Sequence, residues 1–275
     1  MSDLLKRSVT GIIFILVMLG GTILHPFVFA VLFAALLFFT QFEFYSLVEK
    51  AGLKPAKWAG TISGVLLFLT EFGVATGFLP RQFGFAFIPV IIFLFLNELF
   101  SSNDKILRNN SITLLGFVYV AMPFSLINFI VHSSVEGQNK FYPWILVGIF
   151  FIIWVYDSVA YLAGSAFGKH KIYEKISPGK SWEGLIAGAV FAVIMGIVNA
   201  VLFQALSMVS WIVIALLTVI FGTLGDFFES KIKRETGVKD SGNIMPGHGG
   251  FLDRFDSLLF AIPAIFIWLI FSGNI

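Results

Sequence analysis

The sequence predicts an all-α, polytopic integral membrane protein with about nine transmembrane helices. Hydrophobic residues make up 58% of the 275 positions and charged residues only 12%, and the mean hydropathy is +0.93, far above that of soluble domains. Apolar runs of about twenty residues, each long enough to cross a bilayer, recur along the chain. They lack the polar and apolar alternation of membrane β-strands, so helices are expected rather than a barrel.

Polar residues, glycine or proline separate these apolar runs and define the predicted spans. The spans cover residues 8–24, 26–47, 58–78, 85–99, 111–131, 142–166, 184–206, 208–228 and 257–273. The first follows a basic stretch, as in a signal peptide, but it has no convincing small-residue cleavage site and leads into a second apolar segment. We therefore interpret it as a retained span. No internal repeat, low-complexity tract or separate soluble domain is recognisable, which predicts one membrane-embedded domain over 1–275.

Basic residues are distributed unequally between the two sides that nine spans define. All 18 Lys and Arg residues except Arg81 and Lys140 lie on the side of the amino terminus and of the loops after spans two, four, six and eight. Cytoplasmic loops carry such an excess, so this side is predicted to be cytoplasmic and the protein to be a multi-pass protein of the inner (cell) membrane. The net charge of only +2 does not suggest a nucleic-acid partner.

The absence of cysteine limits the chemistry that the chain can perform. Disulfides, thiolate metal sites and cysteine nucleophiles are excluded, while carboxylates, histidine, hydroxyls and lysine remain. A metal site, if there is one, is therefore expected to use oxygen ligands.

The richer of two polar cytoplasmic connections covers residues 229–256. Its basic cluster of Lys231, Lys233, Arg234 and Lys239 can neutralise a polyphosphate or anionic lipid heads, although an ordinary basic loop would look similar. The neighbouring acidic residues favour the first interpretation.

Acidic residues cluster around the same connection. Asp253 and Asp256 stand three apart before the last span and would share one helix face, and Asp226 lies near the cytoplasmic end of span eight. Acids at membrane depth are costly and are functional candidates, so we favour metal ligation by these three aspartates over structural pairing with lysine or arginine. For Asp157, within span six, three interpretations stay open: a further metal ligand, a buried hydrogen-bonded residue or a contact for nucleotide.

Carboxylates of this kind suit Mg²⁺, which takes one or two of them and completes its shell with water and substrate phosphates. The turn PGHGG at 246–250 can bring the backbone N–H groups of Gly249 and Gly250 close to a phosphate, or it can be merely a turn. His248 is expected to hydrogen-bond a phosphate or the leaving pyrophosphate, against the alternative of an exposed loop histidine.

The second polar connection, residues 167–183, adds more cationic side chains. Lys180 is the favoured phosphate contact and Lys169 a further one, next to a turn at Ser177–Gly179. Ser181 is expected to cap the following helix, and Glu183 to interact with its dipole.

Residues 230–256, SKIKRETGVKDSGNIMPGHGGFLDRFD, resemble the signature of the phosphatidate cytidylyltransferases, also called CDP-diacylglycerol synthases. The similarity includes, at that family's spacings, Ser230, Lys233, Arg234, Lys239, Asp240, His248, Gly249, Gly250, Asp253, Arg254 and Asp256. DSVAYLAGSAFGKHK and ISPGKSWEG further upstream are also similar to that family. Gly179 and Ser181 depart mildly from a pattern that often has a basic residue and threonine there.

The resemblance implies a polytopic enzyme, commonly a homodimer, that reacts CTP with phosphatidic acid among membrane lipids to give CDP-diacylglycerol and pyrophosphate. It also implies Mg²⁺, with a monovalent cation such as K⁺ as a second ion. Metal positions carry over to Asp226, Asp253 and Asp256. Catalytic roles are assigned to these three and to Lys233, Arg234 and His248. Substrate contacts are assigned to Asp157, Lys169, Lys180, Ser230, Lys239, Asp240, Gly249, Gly250 and Arg254. On this interpretation the spans in 1–140 are mainly scaffold, and 141–275 form the catalytic part.

Other functions are open at this stage. A polyprenol kinase or an archaeal-type ether-lipid cytidylyltransferase would share the metal and the nucleotide but use another acceptor. A CDP-alcohol phosphotransferase fits less well, because Ser158 follows Asp157 where that family has a DG-x2-AR pattern. An ion-coupled transporter would use the membrane acids as a pathway, but it should line the midplane, whereas these polar residues gather at one surface.

Overall fold

The computed structural model describes residues 3–100, 105–135, 138–242 and 249–275, with side chains placed over 9–100, 105–132, 140–242 and 249–275. These residues are mainly helical, which confirms the all-α prediction. The helices are α1 Asp3–Ile23, α2 Pro26–Glu49, α3 Lys57–Ala75, α4 Phe87–Leu99, α5 Ile106–Gly116, α6 Met122–Val131, α7 Trp144–Phe167, α8 Trp182–Phe203, α9 Met208–Glu235 and α10 Leu252–Phe271. A 3₁₀ turn, Arg81–Phe85, precedes α4, and a π turn, Phe117–Ala121, joins α5 to α6.

One small antiparallel sheet completes the described secondary structure. Strand β1, His132–Val135, pairs with β2, Gln138–Phe141, with His132 opposite Phe141.

Eight helical segments of the described chain are long and apolar enough to cross a membrane. They are Pro26–Glu49, Lys57–Ala75, Arg81–Leu99, Ile106–Val131, Trp144–Phe167, Trp182–Phe203, Met208–Glu235 and Leu252–Phe271. Each corresponds to a predicted span. The ninth prediction, 8–24, corresponds to α1, whose apolar part, Val9–Ile23, is shorter.

Two of the boundaries differ in a way that matters for function. Helix α9 continues beyond the predicted end at residue 228 to Glu235, and α10 begins at Leu252 rather than at 257. Asp253 therefore lies in the first turn of α10, and Asp256 follows one turn later. The prediction that Asp253 and Asp256 share one helix face requires a helix that begins before Asp253. The structure confirms that requirement.

The chain forms two compact units, which we call unit 1 and unit 2. Unit 1 contains Met1–Phe141 and Ile232–Phe255, and unit 2 contains Tyr142–Lys231 and Asp256–Ile275. Helices α9 and α10 contribute to both. The predicted division into scaffold and catalytic part is functional and stays a prediction, but in packing terms residues 232–255 belong with the amino-terminal spans.

In unit 1, glycines let α2, α3 and α5 approach closely around Tyr45. A Cβ atom on Gly60 or on Gly116 would lie 2.7 Å from Tyr45 Cζ. The Tyr45 hydroxyl donates to the Thr113 carbonyl at 2.7 Å, and Gln41 Nε2 donates to the Gly60 carbonyl at 3.2 Å. Small residues and interhelical hydrogen bonds of this kind hold helices together where lipid removes the hydrophobic driving force.

In unit 2, a stripe of small residues lies along one face of α8. Gly184, Gly188, Ala192 and Gly196 recur at every fourth position and are all buried. Gly188 faces Tyr156 and Ala160 of α7, so that larger side chains there would force the two helices apart.

Helices α9 and α10 also meet through glycine. A Cβ on Gly222 would contact Ser257 at 3.4 Å, and one on Gly225 would collide with the main-chain carbonyl oxygen of Asp256. This backbone contact brings Asp226 of α9 beside Asp256 of α10.

Candidate active site

The acidic cluster of unit 2 is formed by Asp226 and Asp256. Both side chains are partly buried. The Asp256 carboxylate interacts electrostatically with Asp226, Asp157 and Lys180, and its Oδ1 accepts a hydrogen bond from the Ser257 backbone N–H at 2.7 Å. Like charges this close repel unless a cation lies between them.

Lys180 provides positive charge next to this cluster. Its Nζ lies 2.6 Å from Asp226 Oδ2 and above the Phe227 ring, 5.1 Å from the ring centroid. The side chain is only 25% exposed, so water screens this ion pair less than it would on an open surface. The predicted phosphate-binding lysine thus lies beside a predicted metal ligand.

A short hairpin in the 167–183 connection carries Lys180. The Ile172 N–H donates to the Lys180 carbonyl at 3.1 Å, and the Trp182 N–H donates to the His170 carbonyl at 2.9 Å. The Glu183 carboxylate accepts from both His170 N and His170 Nδ1, the latter at 2.7 Å. Glu183 therefore fastens the hairpin to the start of α8.

The Ser181 cap is confirmed, because its Oγ accepts a hydrogen bond from the Gly184 N–H at 3.2 Å. This cap fixes the start of α8 at Trp182, two residues after Lys180.

Three further predicted residues belong to unit 2. The Ser230 hydroxyl donates to Asp226 Oδ1 at 3.3 Å, so this side chain orients a predicted metal ligand. Lys169 and Asp157 are exposed, which does not fit the interpretation of Asp157 as a buried residue.

Asp253, in unit 1, has a different environment. Its Oδ1 accepts from Lys233 Nζ at 2.8 Å, and its Oδ2 accepts from the Gly250 N–H at 2.8 Å and from the Ser241 N–H at 3.2 Å. The Ser241 hydroxyl lies 3.0 Å from the same oxygen. The carboxylate thus ties Gly250 and Ser241 to the first turn of α10 and pairs with a basic residue of the signature.

A buried acid that sequence reasoning missed joins this arrangement. Glu43 of α2 is only 5% exposed, and it accepts from the Phe251 N–H at 3.0 Å, from the Leu252 N–H at 3.1 Å and from the Ser241 hydroxyl. Its only sequence signal is an acid inside the otherwise apolar second span, since the partners lie about two hundred positions away.

The other predicted basic and acidic residues of unit 1 lie at the end of α9, in the segment after it and at the start of α10. Lys233 and Arg234 occupy its last turn, where cations interact favourably with the helix dipole, and Gly237 terminates the helix with φ 71°. Arg234, Lys239, Asp240 and Arg254 are exposed. His248 lies outside the described residues.

The Gly249–Gly250 turn lies against the carboxylates of unit 1. Gly249 has φ 78°, and a Cβ there would lie 2.6 Å from Asp253 Oδ2. The Gly250 N–H donates to Asp253 in this structure. Because Gly249 and Gly250 have no side chains, the turn leaves room for the Asp253 and Glu43 carboxylates. The close approach of this turn to a phosphate stays a prediction.

The acids of unit 2 fit a divalent cation in their chemistry. Asp226 and Asp256 offer hard carboxylate oxygens, the kind that Mg²⁺ prefers, on two helices that glycine holds together. Within the described residues, no group of three or more acidic or histidine side chains is arranged to hold a metal by protein ligands alone. Two carboxylates with water and substrate phosphates would still suffice for Mg²⁺, so the magnesium prediction stays open.

Comparisons with known proteins give a consistent result. The family model described as "Cytidylyltransferase family" matches residues 5–272. A Bacillus subtilis protein named phosphatidate cytidylyltransferase is 34% identical over 98% of both chains, and one from Staphylococcus saprophyticus with the same name is 31% identical over 96% of this chain and 98% of its own. A Haemophilus influenzae relative of that name is 40% identical, over 55% of this chain and 52% of its own.

Proposed function

Because this chain belongs to the cytidylyltransferase family and is a nucleotidyltransferase, we propose that it transfers CMP from CTP to phosphatidic acid. The products are CDP-diacylglycerol and pyrophosphate, and the role is in phospholipid biosynthesis. The observation that carries the proposal is similarity over essentially the full length to relatives named phosphatidate cytidylyltransferase. Family membership sets the transporter alternative aside, and the relatives' name favours phosphatidate over a polyprenol or an ether lipid.

In the proposed reaction, a phosphate oxygen of phosphatidate attacks the α-phosphorus of CTP. A new P–O bond forms as the bond between the α- and β-phosphates breaks, and pyrophosphate leaves with the electron pair. The attacking oxygen is already anionic at neutral pH, so no strong general base is needed. The main barrier is the repulsion between two polyanions, which cationic groups must offset.

The cationic side chains suit this task. Lys180 is held on its hairpin within 2.6 Å of Asp226, and we assign it to a phosphate of the nucleotide. Lys233 and Arg234 at the end of α9, with Lys239 beyond it, are assigned to the leaving pyrophosphate together with His248. Asp226 and Asp253 hold Lys180 and Lys233, respectively, in place before substrate arrives.

Asp226 and Asp256 would hold a magnesium ion, with Asp253 as the third predicted ligand. A bound divalent ion supplies positive charge next to the triphosphate and so lowers the repulsion between the substrates. A monovalent second ion such as K⁺ and a homodimeric assembly belong to the same proposal.

One assay tests the reaction. Purified protein in detergent is given phosphatidate and magnesium with each of the four nucleoside triphosphates, and both pyrophosphate and liponucleotide are measured. We expect both products with CTP. A liponucleotide formed only from an ether-linked lipid, or phosphorylation of a polyprenol, would replace phosphatidate as the acceptor.

We further propose that the site faces the cytoplasm in the cell membrane, as the basic loops predict. The chain contains no cysteine, so a single introduced one reports its own position. In intact spheroplasts, an impermeant maleimide should label Lys140→Cys, at an exposed position of β2, but not Lys175→Cys in the exposed hairpin. The reverse pattern would overturn the orientation.

A further inference from the structure

Glu43 connects the second membrane helix to the signature loop. We propose that Glu43 is a positioning residue for the proposed reaction, and that it fixes Ser241, Phe251 and Leu252 and thereby the placement of Lys233 and Asp253. The inference rests on the proposed function for its activity readout, but its structural readout is independent of it.

The Glu43 side chain is buried within a membrane-spanning helix. A carboxylate that is 5% exposed within a membrane-spanning helix is costly unless donors surround it. Glu43 has three such donors, and they belong to Ser241, Phe251 and Leu252. The charged Glu43 side chain is therefore stabilised at this position only when these three residues are in place. The same hydrogen bonds hold those residues.

The hydrogen-bond donors to Glu43 include two backbone N–H groups. The Phe251 and Leu252 N–H groups belong to the start of α10, where helices have backbone donors without an intrahelical acceptor. An anion at this end is also favoured by the helix dipole. Glu43 thus determines the residue at which α10 begins.

Two glycines approach the Glu43 carboxylate closely. The three atoms nearest to a Cβ placed on Gly242 all belong to Glu43, with Oε2 at 2.6 Å, and a Cβ on Gly250 would also collide with the Glu43 carboxylate. Two glycines of the loop therefore leave room for one side chain that lies far away in the sequence. Neither needs a positive φ, so the close approach explains them better than backbone freedom does.

Ser241 links Glu43 to two residues of the signature, Asp253 and Lys233. The Ser241 hydroxyl donates to Glu43 and lies 3.0 Å from Asp253 Oδ2, and Asp253 pairs with Lys233 at 2.8 Å. A change at Glu43 should therefore reach Asp253 through Ser241, and Lys233 through Ser241 and Asp253.

The test uses the full-length protein in detergent and compares Glu43→Gln with Glu71→Gln. Glu71 is equally buried at 5% and lies on α3 of the same unit, and it has no hydrogen bond to the described loop residues. In Glu43→Gln, amide hydrogen exchange in a peptide containing Phe251 and Leu252 should accelerate by about tenfold or more, since a charge-assisted acceptor is lost. The Glu71 variant should leave exchange in this peptide unchanged.

Activity gives the second readout. Glu43→Gln should lower kcat by about tenfold or more with a smaller change in KM for CTP, and Glu43→Asp should recover part of it. A double-mutant cycle adds Gly242→Ala. This change should be harmful in the wild type but nearly neutral in Glu43→Ala, where the space is vacant.

Unchanged exchange and activity in Glu43→Gln, or additive effects in the cycle, would overturn the proposal. If the wild-type protein does not use phosphatidate, the exchange measurement still decides the role of Glu43, so the two failures are distinguishable. Equal acceleration in the Glu71 variant would show general loosening of the unit and would also overturn it.

Discussion

The two units contain acidic pairs that differ in what surrounds them. Asp253 and Glu43 of unit 1 accept hydrogen bonds from backbone N–H groups, the Ser241 hydroxyl and Lys233. Asp226 and Asp256 of unit 2 interact with each other and with Lys180. The difference favours an organising role in the loop for the first pair, whereas the second offers its carboxylate charge to a cation.

The largest effect is expected from removing that charge. Asp226→Asn and Asp256→Asn should each lower turnover by about 100-fold or more, because groups that act in the transition state carry effects of that size. Turnover is measured as liponucleotide formed by purified protein, with size-exclusion profiles as the control for folding. Wild-type-like activity of either variant at limiting magnesium would remove the basis for treating this pair as the functional one.

Loss of Lys180 is expected to have the next largest effect. Lys180→Met removes a charge-assisted contact, and activity should fall by about 10- to 100-fold. The matched control is Lys175→Met, an exposed lysine of the same hairpin, which should change the rate by less than about twofold. Similar losses in both variants would point to general electrostatic attraction rather than to a specific contact.

A substitution of Asp253 tests the role of the acidic pair of unit 1. Asp253→Asn should lower the thermal unfolding temperature by roughly 3 °C as well as lowering activity, because it weakens the hydrogen bonds from Gly250 and Ser241 and an ion pair. The predicted role as a metal ligand further requires that the variant need more magnesium for half-maximal rate. An unchanged magnesium requirement would leave only the organising role.

The smallest effect concerns a group outside both pairs. Burial lowers the pKa of His132 below its usual value, although the backbone carbonyl of Asn128, 2.9 Å from Nδ1, partly opposes this shift. The unfolded chain then binds a proton more readily than the folded one, so stability is complete above about pH 6.5 and decreases as the pH falls below it.

Thermal unfolding at pH 7.5 and at pH 5.5, in the wild type and in His132→Phe, measures this contribution. The variant should show a weaker decrease on acidification. An identical decrease in both proteins would assign the acid sensitivity to other groups.

Much of this architecture follows from local sequence. The apolar runs predict the long helices, and Ser181 predicts a cap that the structure confirms. The position of Lys180 after a turn favours it as a phosphate contact, and the structure places it beside Asp226. Such features depend on neighbouring residues, so spacing alone reveals them.

Other features could not be predicted in this way. Helices α9 and α10 extend past the apolar runs because polar side chains continue a helix wherever caps and ion pairs stabilise it, as at Lys233 and Asp253. The role of Glu43 cannot be predicted from local sequence, because its hydrogen-bond partners are distant in the chain and contact it only in the folded protein. A single sequence shows that an acid is buried at a cost, but not which distant donors compensate for it.

Gly225 sets a geometric limit on the acidic pair of unit 2. Its lack of a side chain allows α9 to touch the main chain of α10 at Asp256, so the spacing of the two helices there is defined by backbone atoms. Lipid-facing side chains on either helix can then vary in size without changing that spacing. A single methyl group at position 225 would instead act as a wedge and widen the gap between Asp226 and Asp256.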